Sequence, residues 1–366
     1  MDFSKKLIDW YLENKRDLPW RNTTEPYRVW LSEIILQQTR VEQGFAYYLK
    51  FLERFPVVED LANASEEEIL KMWQGLGYYS RARNLHATAK YVSENLSGKF
   101  PGNHKDLIKL KGIGDYTASA IASSCYKEPV AVVDGNVFRF LSRYFGVYTP
   151  TNSSAGIKEF KGLAQQFLDS ENPDLYNQGL MEFGSKHCKP QNPLCETCPF
   201  SDKCYAFRKD EIKNLPVKIK NLKIKNRYLN YLVPISAEGK TIIRKRKGKG
   251  IWQNLYEFPL VETIQSIDNA EFEGLKEVQE LTNGNKMILF NENPIQHKLT
   301  HQHLFCRFWI VECDAIKEGV NFSDLKNYPV PVLIQNFIDV FQRDQVMIRT
   351  KIKNEKEASF EGFFLN

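Results

Sequence analysis

Along the first half of the chain, apolar residues recur at intervals of three and four. Leu7, Ile8, Trp10, Tyr11 and Leu12 open a first amphipathic helix, and Pro19 ends it. From Tyr27 to Pro56, Val29, Trp30, Ile34, Val41, Phe45, Tyr48 and Leu52 keep the spacing of one helical face, so the whole run is expected to be one helix. Glu33 sits beside that face between Leu31 and Ile34, where an exposed Glu is expected from the pattern alone, and Gln37, Gln38 and Thr39 make a polar patch one turn on. Short helices are expected over 57–100, where Ser65 and Glu68 have capping-box spacing, and again over 138–187. Between them, Gly112 and Gly114 break an apolar helical pattern around Ile113. A run of small residues follows, and an apolar segment, Val130 to Val133, ends in Asp134, Gly135 and Asn136. From residue 228 the period changes. Tyr228–Ile235, Thr241–Arg244 and Lys298–Cys313 read as strands, and the VLIQNFIDVF stretch near the end as a helix.

The periodicity therefore predicts an all-α domain followed by a smaller α+β domain. A Lys-rich stretch from Asp210 to Arg227 separates them, which sets the boundaries at 1–213, a basic linker at 214–227, a second domain at 228–345 and a tail at 346–366. The net charge of +5 suits a nucleic-acid partner, and the 13% aromatic content supplies stacking groups as well as cores. No apolar run reaches membrane-spanning length and MDFSKKLIDW lacks a signal-peptide core, so a cytoplasmic protein with no membrane partner is expected. Seven cysteines, an odd number, argue against a disulfide framework. Four of them, Cys188, Cys195, Cys198 and Cys204, fall within 17 residues, a spacing that admits structural zinc or an iron–sulfur centre.

Three features bear on chemistry. Gly112 and Gly114 form a tight turn that leaves amides unpaired at the start of the next helix, a site for a phosphate. Asp134, where an apolar segment meets a Gly turn, is expected to be partly buried and to have a shifted pKa. The interleaved GLGYYSRARN stretch, Gly75 to Asn84, reads as a helix C-cap with a basic helix, or as an aromatic wedge with Arg81 and Arg83 near DNA phosphates.

The stretch Leu107–Val137 resembles the helix-hairpin-helix, Gly/Pro-rich loop and Asp signature of the DNA base-excision glycosylases. That resemblance implies that Gly112, Ile113 and Gly114 hold a DNA phosphate and that Asp134 is catalytic. SEIILQQTRV, from Ser32 to Val41, looks like the motif of the adenine glycosylases of the MutY family. The likeness makes Glu33 the acid that protonates the flipped adenine and puts Gln38 against DNA. It gives Trp20, Arg21 and Gln178 to the adenine pocket, Asn136 to the sugar-side network and Tyr78 to the wedge. Tyr116 falls where lyase relatives carry a Schiff-base Lys. A phenol cannot form that imine, so the enzyme is expected to be mainly monofunctional, with Tyr116 beside Asp134. The spacing of the four cysteines is similar to that of the endonuclease-III and MutY glycosylases, which implies a [4Fe-4S] cluster. The second domain resembles a Nudix-like domain, but the hydrolase's metal-binding glutamates are not visible between Pro259 and Gly274, so recognition is expected there. Its Leu299–His301 loop aligns with one that usually reads Phe-Ser-His, leaving Thr300 and His301 to read a purine edge. The implied whole is a monomeric two-domain base-excision repair enzyme that hydrolyses adenine opposite 8-oxoguanine or guanine in double-stranded DNA. Two rivals remain at this point: an endonuclease-III-type lyase, which Tyr116 and the second domain oppose, and a non-catalytic redox-sensing DNA binder, which would need neither Glu33 nor Asp134.

Overall fold

The computed structural model describes residues 3–219 and 224–343. The chain divides into two compact units, Met1–Ala64 with Arg81–Asn221, and Ser65–Ser80 with Leu222–Asn366. The first is helical and the second is built on a sheet. Among the described residues no helix is long and apolar enough to cross a membrane.

In the helical unit, Glu25 starts the Pro26–Leu36 helix by accepting hydrogen bonds from the backbone N–H groups of Tyr27 and Arg28, both at 2.9 Å. This helix buries Leu31, Ser32, Glu33, Ile34 and Ile35 together, so its Glu is enclosed rather than exposed. The expected single helix over Tyr27–Pro56 is in fact two, Pro26–Leu36 and Val41–Arg54. The break has a physical cause in Arg81. Its guanidinium donates to the carbonyls of Ile34 (3.1 Å), Ile35 (3.2 Å) and Gln37, and so satisfies the orphan C=O groups of the helix end. Gln38 then turns left-handed at φ 55° and is exposed. Arg81, expected near a DNA phosphate, is thus committed to capping the helix that carries Glu33.

The hairpin forms as expected between His104–Leu107 and Asp115–Tyr126. Gly112 has φ +78°, and a Cβ there would meet Asn84 at 2.7 Å, so only glycine fits. Gly114 caps the following helix in extended backbone with no side-chain cap hydrogen bond. Ile113 is 4% exposed, so its side chain belongs to the core and only backbone remains for a ligand. The small residues Thr117, Ala118, Ser119, Ala120 and Ala122 are buried where this helix packs on Pro26–Leu36. Phe3, Phe140, Phe183 and Phe200 fill a second part of the core, with the 140–183 ring centroids 4.5 Å apart. Each such ring contributes roughly 2–3 kcal/mol by burial.

The first half of the expected linker is pinned down. Leu215 is 2% exposed and its carbonyl accepts from Arg143 Nε at 3.0 Å, and Val217 O accepts from Thr151 N at 3.0 Å. In the sheet unit, Lys225–Ser236 runs parallel to Gln302–Cys313, with Lys225 opposite Gln302 and Ser236 opposite Cys313. The expected strand over Lys298–Cys313 begins earlier and folds back. Ile295–Lys298 turns through Leu299, Thr300 and His301 and returns antiparallel, with Lys298 opposite His303. Phe272 stacks on Trp309 at 4.8 Å, and Phe337, from a helix over 332–343, stacks on Phe308 at 4.1 Å. The Ser65–Ser80 segment groups with this unit through side chains distant in sequence: Asn254 Nδ2 donates to Glu66 Oε1 at 2.6 Å, and Lys71 Nζ to Tyr328 O at 3.1 Å.

Candidate active site

Asp134 ends the extended segment after the hairpin helix and caps Gly135–Phe145. Its Oδ1 accepts from the backbone N–H groups of Asn136 (2.9 Å) and Val137 (2.8 Å), and its Oδ2 accepts from Asn136 Nδ2 (2.8 Å). The cap and the candidate catalytic group are therefore one residue, and the cap fixes the carboxylate in place. Burial pushes the Asp134 carboxyl above its ordinary range, while these three donors and Arg139 hold it back.

Glu33, on Pro26–Leu36, lies close enough to Asp134 and Tyr116 to feel both. It is 8% exposed, and burial pushes its pKa up to about 7. The Tyr116 hydrogen bond and Arg21 pull it down, and the Asp134 charge adds to the rise. Tyr116 also reaches Met181 Sδ at 3.5 Å, and its phenol is held well above its usual range, chiefly by burial. Two carboxyls in different environments thus sit around one phenol, the pattern of an acid paired with a charge stabiliser.

Arg21 ends the Pro19–Arg21 turn, where its Nε donates to Gln178 Oε1 (3.1 Å) and its Nη2 to Glu182 Oε2 (2.9 Å). Trp20, on the same turn, is 7% exposed, as enclosed as Glu33, and packs edge-on to Tyr48 at 5.0 Å. Glu182 was not legible as a site residue, although it lies one helical turn beyond Gln178 on Pro173–Lys186.

Arg139 was missed as well. Its guanidinium donates to Asn136 Oδ1 (2.8 Å), Gly184 O (2.5 Å) and Cys188 O (2.7 Å), tying Asn136 to Cys188. One turn on, Arg143 Nη1 donates to Lys189 O at 2.8 Å and reaches Cys188 Sγ at 3.5 Å. Arg139→Met leaves these acceptors bare. It should lower stability by about 2–4 kcal/mol, a melting temperature roughly 5–15 °C lower by calorimetry. An unchanged melting point would mean that water replaces the network.

Cys188, Cys195, Cys198 and Cys204 line one cavity with Phe140, Phe183, Leu194 and Phe200, and none is in a disulfide. Burial raises the thiols of Cys195, Cys198 and Cys204, that of Cys198 to about 12. Four thiols around an apolar hollow fit a metal centre, since ionised sulfur there calls for a compensating cation. In the sheet unit Thr300 and His301 are exposed in their turn, and the Tyr78 hydroxyl, 49% exposed at the residue level, lies 2.6 Å from Thr300 Oγ1.

Comparison with known proteins agrees with this geometry. Residues 31–163 match the HhH-GPD superfamily of base excision DNA repair proteins, and residues 230–340 match the NUDIX domain. The solved structure of a thermostable thymine-DNA glycosylase is similar at a TM-score of 0.53 and 31% identity, over 57% of this chain and 95% of that one. A trapped endonuclease III–DNA covalent intermediate shares the fold at a TM-score of 0.50 and 21% identity, over 57% of this chain and 94% of that one. Hairpin, capped aspartate and fold define a base-excision DNA glycosylase. An adenine DNA glycosylase of Buchnera aphidicola (from Schizaphis graminum) is 33% identical over 93% of this chain and 99% of its own length. The human adenine DNA glycosylase is 42% identical over 58% of this chain, which spans 41% of that protein. The chain belongs to the adenine DNA glycosylase family.

Proposed function

We propose that Glu33 and Asp134 together release adenine that has been flipped from a duplex in which it stood opposite 8-oxoguanine or guanine. What supports this reading is the fold-buried carboxyl of Glu33, pushed up to about 7, close to the capped and hydrogen-bonded carboxyl of Asp134. Glu33, about half protonated at neutral pH, donates its proton to a ring nitrogen of the adenine. The bond to the sugar breaks and its electron pair leaves with the base. Asp134 stabilises the oxocarbenium-like sugar or bonds to its anomeric carbon, as carboxylates do in glycosidases, and water completes hydrolysis. Tyr116 offers no amine for an imine, so the enzyme is mainly monofunctional, with Lys111 the nearby amine for any weak β-elimination. Arg21 occupies the Gln178 carbonyl, which leaves the amide NH2 of Gln178 for an acceptor on the base. The amides around Gly112, Ile113 and Gly114 hold a phosphate. The test is alkali-revealed cleavage of duplexes carrying A opposite 8-oxoguanine, G or T, with thymine glycol as the control. Cleavage at thymine glycol with none at A would overturn the assignment.

Cys188, Cys195, Cys198 and Cys204 would hold a [4Fe-4S] cluster. A single zinc draws its thiolates in to about 2.3 Å. The spacing of the four cysteines, similar to that of the endonuclease-III and MutY glycosylases, and their common apolar hollow support a cluster instead. When bound, such a centre closes the cysteine loop and carries electrons, and no step of the hydrolysis runs through it. The purified protein should be brown, with about four irons per chain and broad absorbance near 400 nm. A colourless protein with one zinc per chain would exclude the cluster.

Adenine is a normal base, so the opposite base must be verified. Thr300 and His301, with Tyr78 beside them, are the candidate readers. Thr300→Ala with His301→Ala should narrow the preference for 8-oxoguanine over guanine by about 5- to 150-fold, the worth of one hydrogen bond of roughly 1–3 kcal/mol. An unchanged ratio of single-turnover rates would assign the turn a purely structural role.

A further inference from the structure

The buried carboxylate of Glu182 accepts four hydrogen bonds from two arginines. Its Oε1 accepts from the Arg16 backbone N–H (3.0 Å) and Arg16 Nε (2.8 Å), and its Oε2 accepts from Arg16 Nη2 (2.6 Å) and Arg21 Nη2 (2.9 Å). The side chain is fully enclosed. Burial alone would raise this carboxyl, but the two arginines outweigh it and bring it down to about 2, so it stays charged through the working range. Arg21, the link to the pocket, also lies over the Tyr11 ring at 5.7 Å.

The geometry points to Glu182 as the positioning residue that takes up the charge of Arg16 and Arg21 and holds the Arg21 guanidinium against Gln178, so setting the charge that Arg21 presents to Glu33. This inference rests on the reading of Glu33 as the acid. The groups acting on Glu33 are Tyr116 from the hairpin helix, Asp134 from the cap of the next helix, Arg21 from the 3-10 turn, and the Cys125 thiol. Those acting around Glu182 are Arg16, Arg21, Tyr11 and Asp174. Of all these only the arginines are cationic. With Glu182 ionised, the pair carries a net charge of +1, and without it +2, and the nearer cation acts on Glu33 directly. A carboxyl beside a less compensated cation loses its proton more readily, so Glu182 preserves the acid by neutralising the base-side arginines.

Two substitutions of opposite sign test this. Glu182→Gln keeps the shape and removes the charge, so the Glu33 titration should move to lower pH. Arg16→Met removes one cation and leaves Glu182 to Arg21, so it should move the titration to higher pH. The titration is read directly as the carbon-13 carboxyl resonance that disappears in Glu33→Gln, which does not depend on catalysis. In single-turnover adenine release, a shift of one pH unit in Glu182→Gln gives a rate about tenfold below the parent near pH 8 and within about twofold near pH 5.5. If the Glu33 resonance titrates identically in the parent and both variants, or if Glu182→Gln slows release by one factor at every pH, Glu182 is merely structural and the inference is wrong. Should Glu182→Gln fail to fold, Arg16→Met decides alone: an upward shift supports the inference and no shift overturns it. A parent protein that titrates as expected but releases no adenine would instead count against the reading of Glu33 as the acid.

Discussion

Asp134→Asn should slow adenine release on the order of a thousandfold or more and leave the fold and the affinity for an A·8-oxoguanine duplex nearly intact. The reason is that the residue holds two jobs and Asn can do only one. As a cap, Asn accepts the Asn136 and Val137 N–H bonds about as well as Asp does. As a charge stabiliser it is neutral, and it cannot form the carboxylate ester that an anomeric carbon would accept. One local cost is expected. Asn136 Nδ2 now donates to Asp134 Oδ2 and would face another NH2, so its side chain must turn, which disturbs its bond to Arg139. That loss is worth about 1 kcal/mol, far too little to account for the rate. Single-turnover kinetics, a melting curve and a gel-shift titration separate the two jobs. Release within tenfold of the parent would leave Asp134 as a helix cap only. A large loss of both rate and melting temperature would leave its chemical role unproven and point to the cap.

What was legible follows from what periodicity and local chemistry can carry. Glu33 could be placed beside an apolar stripe because residues three and four apart share a face, but its burial, against the exposure the pattern suggests, comes from the fold enclosing that stripe. Gly112 was legible because a left-handed turn leaves few alternatives to glycine. The clustered cysteines announced a common cavity by spacing alone. The residues that escaped are those whose partners lie far along the chain. Arg81 reads as a basic residue on a helix, and only the fold directs it to the carbonyls at 34–37, which is also why the single helix expected over 27–56 breaks there. Glu182 reads as an exposed helical acid until Arg16, which is 166 residues away, folds against it. The turn at Leu299, Thr300 and His301 carries neither Gly nor Pro, so periodicity ran it into the strand over 298–313 and only the likeness marked it as a loop. The grouping of Ser65–Ser80 with the sheet rests on contacts such as Asn254 to Glu66, which no local pattern encodes.

Glu33→Gln is expected to cost on the order of a hundred- to ten-thousandfold in adenine release, the usual range for removing a positioned general acid. Gln is close in shape, and its carbonyl can still accept the Tyr116 hydroxyl, so the pocket should keep its form. It also removes a carboxyl whose burial is unfavourable when charged. The sign of that effect on stability follows from the raised pKa. Ionising Glu33 is harder in the folded protein than in the unfolded chain, so the native parent loses stability as pH rises from the unfolded carboxyl value of about 4.5 through about 7. Glu33→Gln should therefore melt no lower than the parent near pH 8, while releasing adenine far more slowly. The pH profile supplies the second half of the test. Parent activity should fall as pH rises through about 7, where the proton leaves Glu33, and the residual activity of the variant should lack that limb. A substrate whose base departs without protonation should be spared by the substitution, because nothing is then asked of the acid. If the variant loses such a substrate as severely as adenine, Glu33 shapes the pocket instead of protonating the base, and the acid must be sought elsewhere in the pocket.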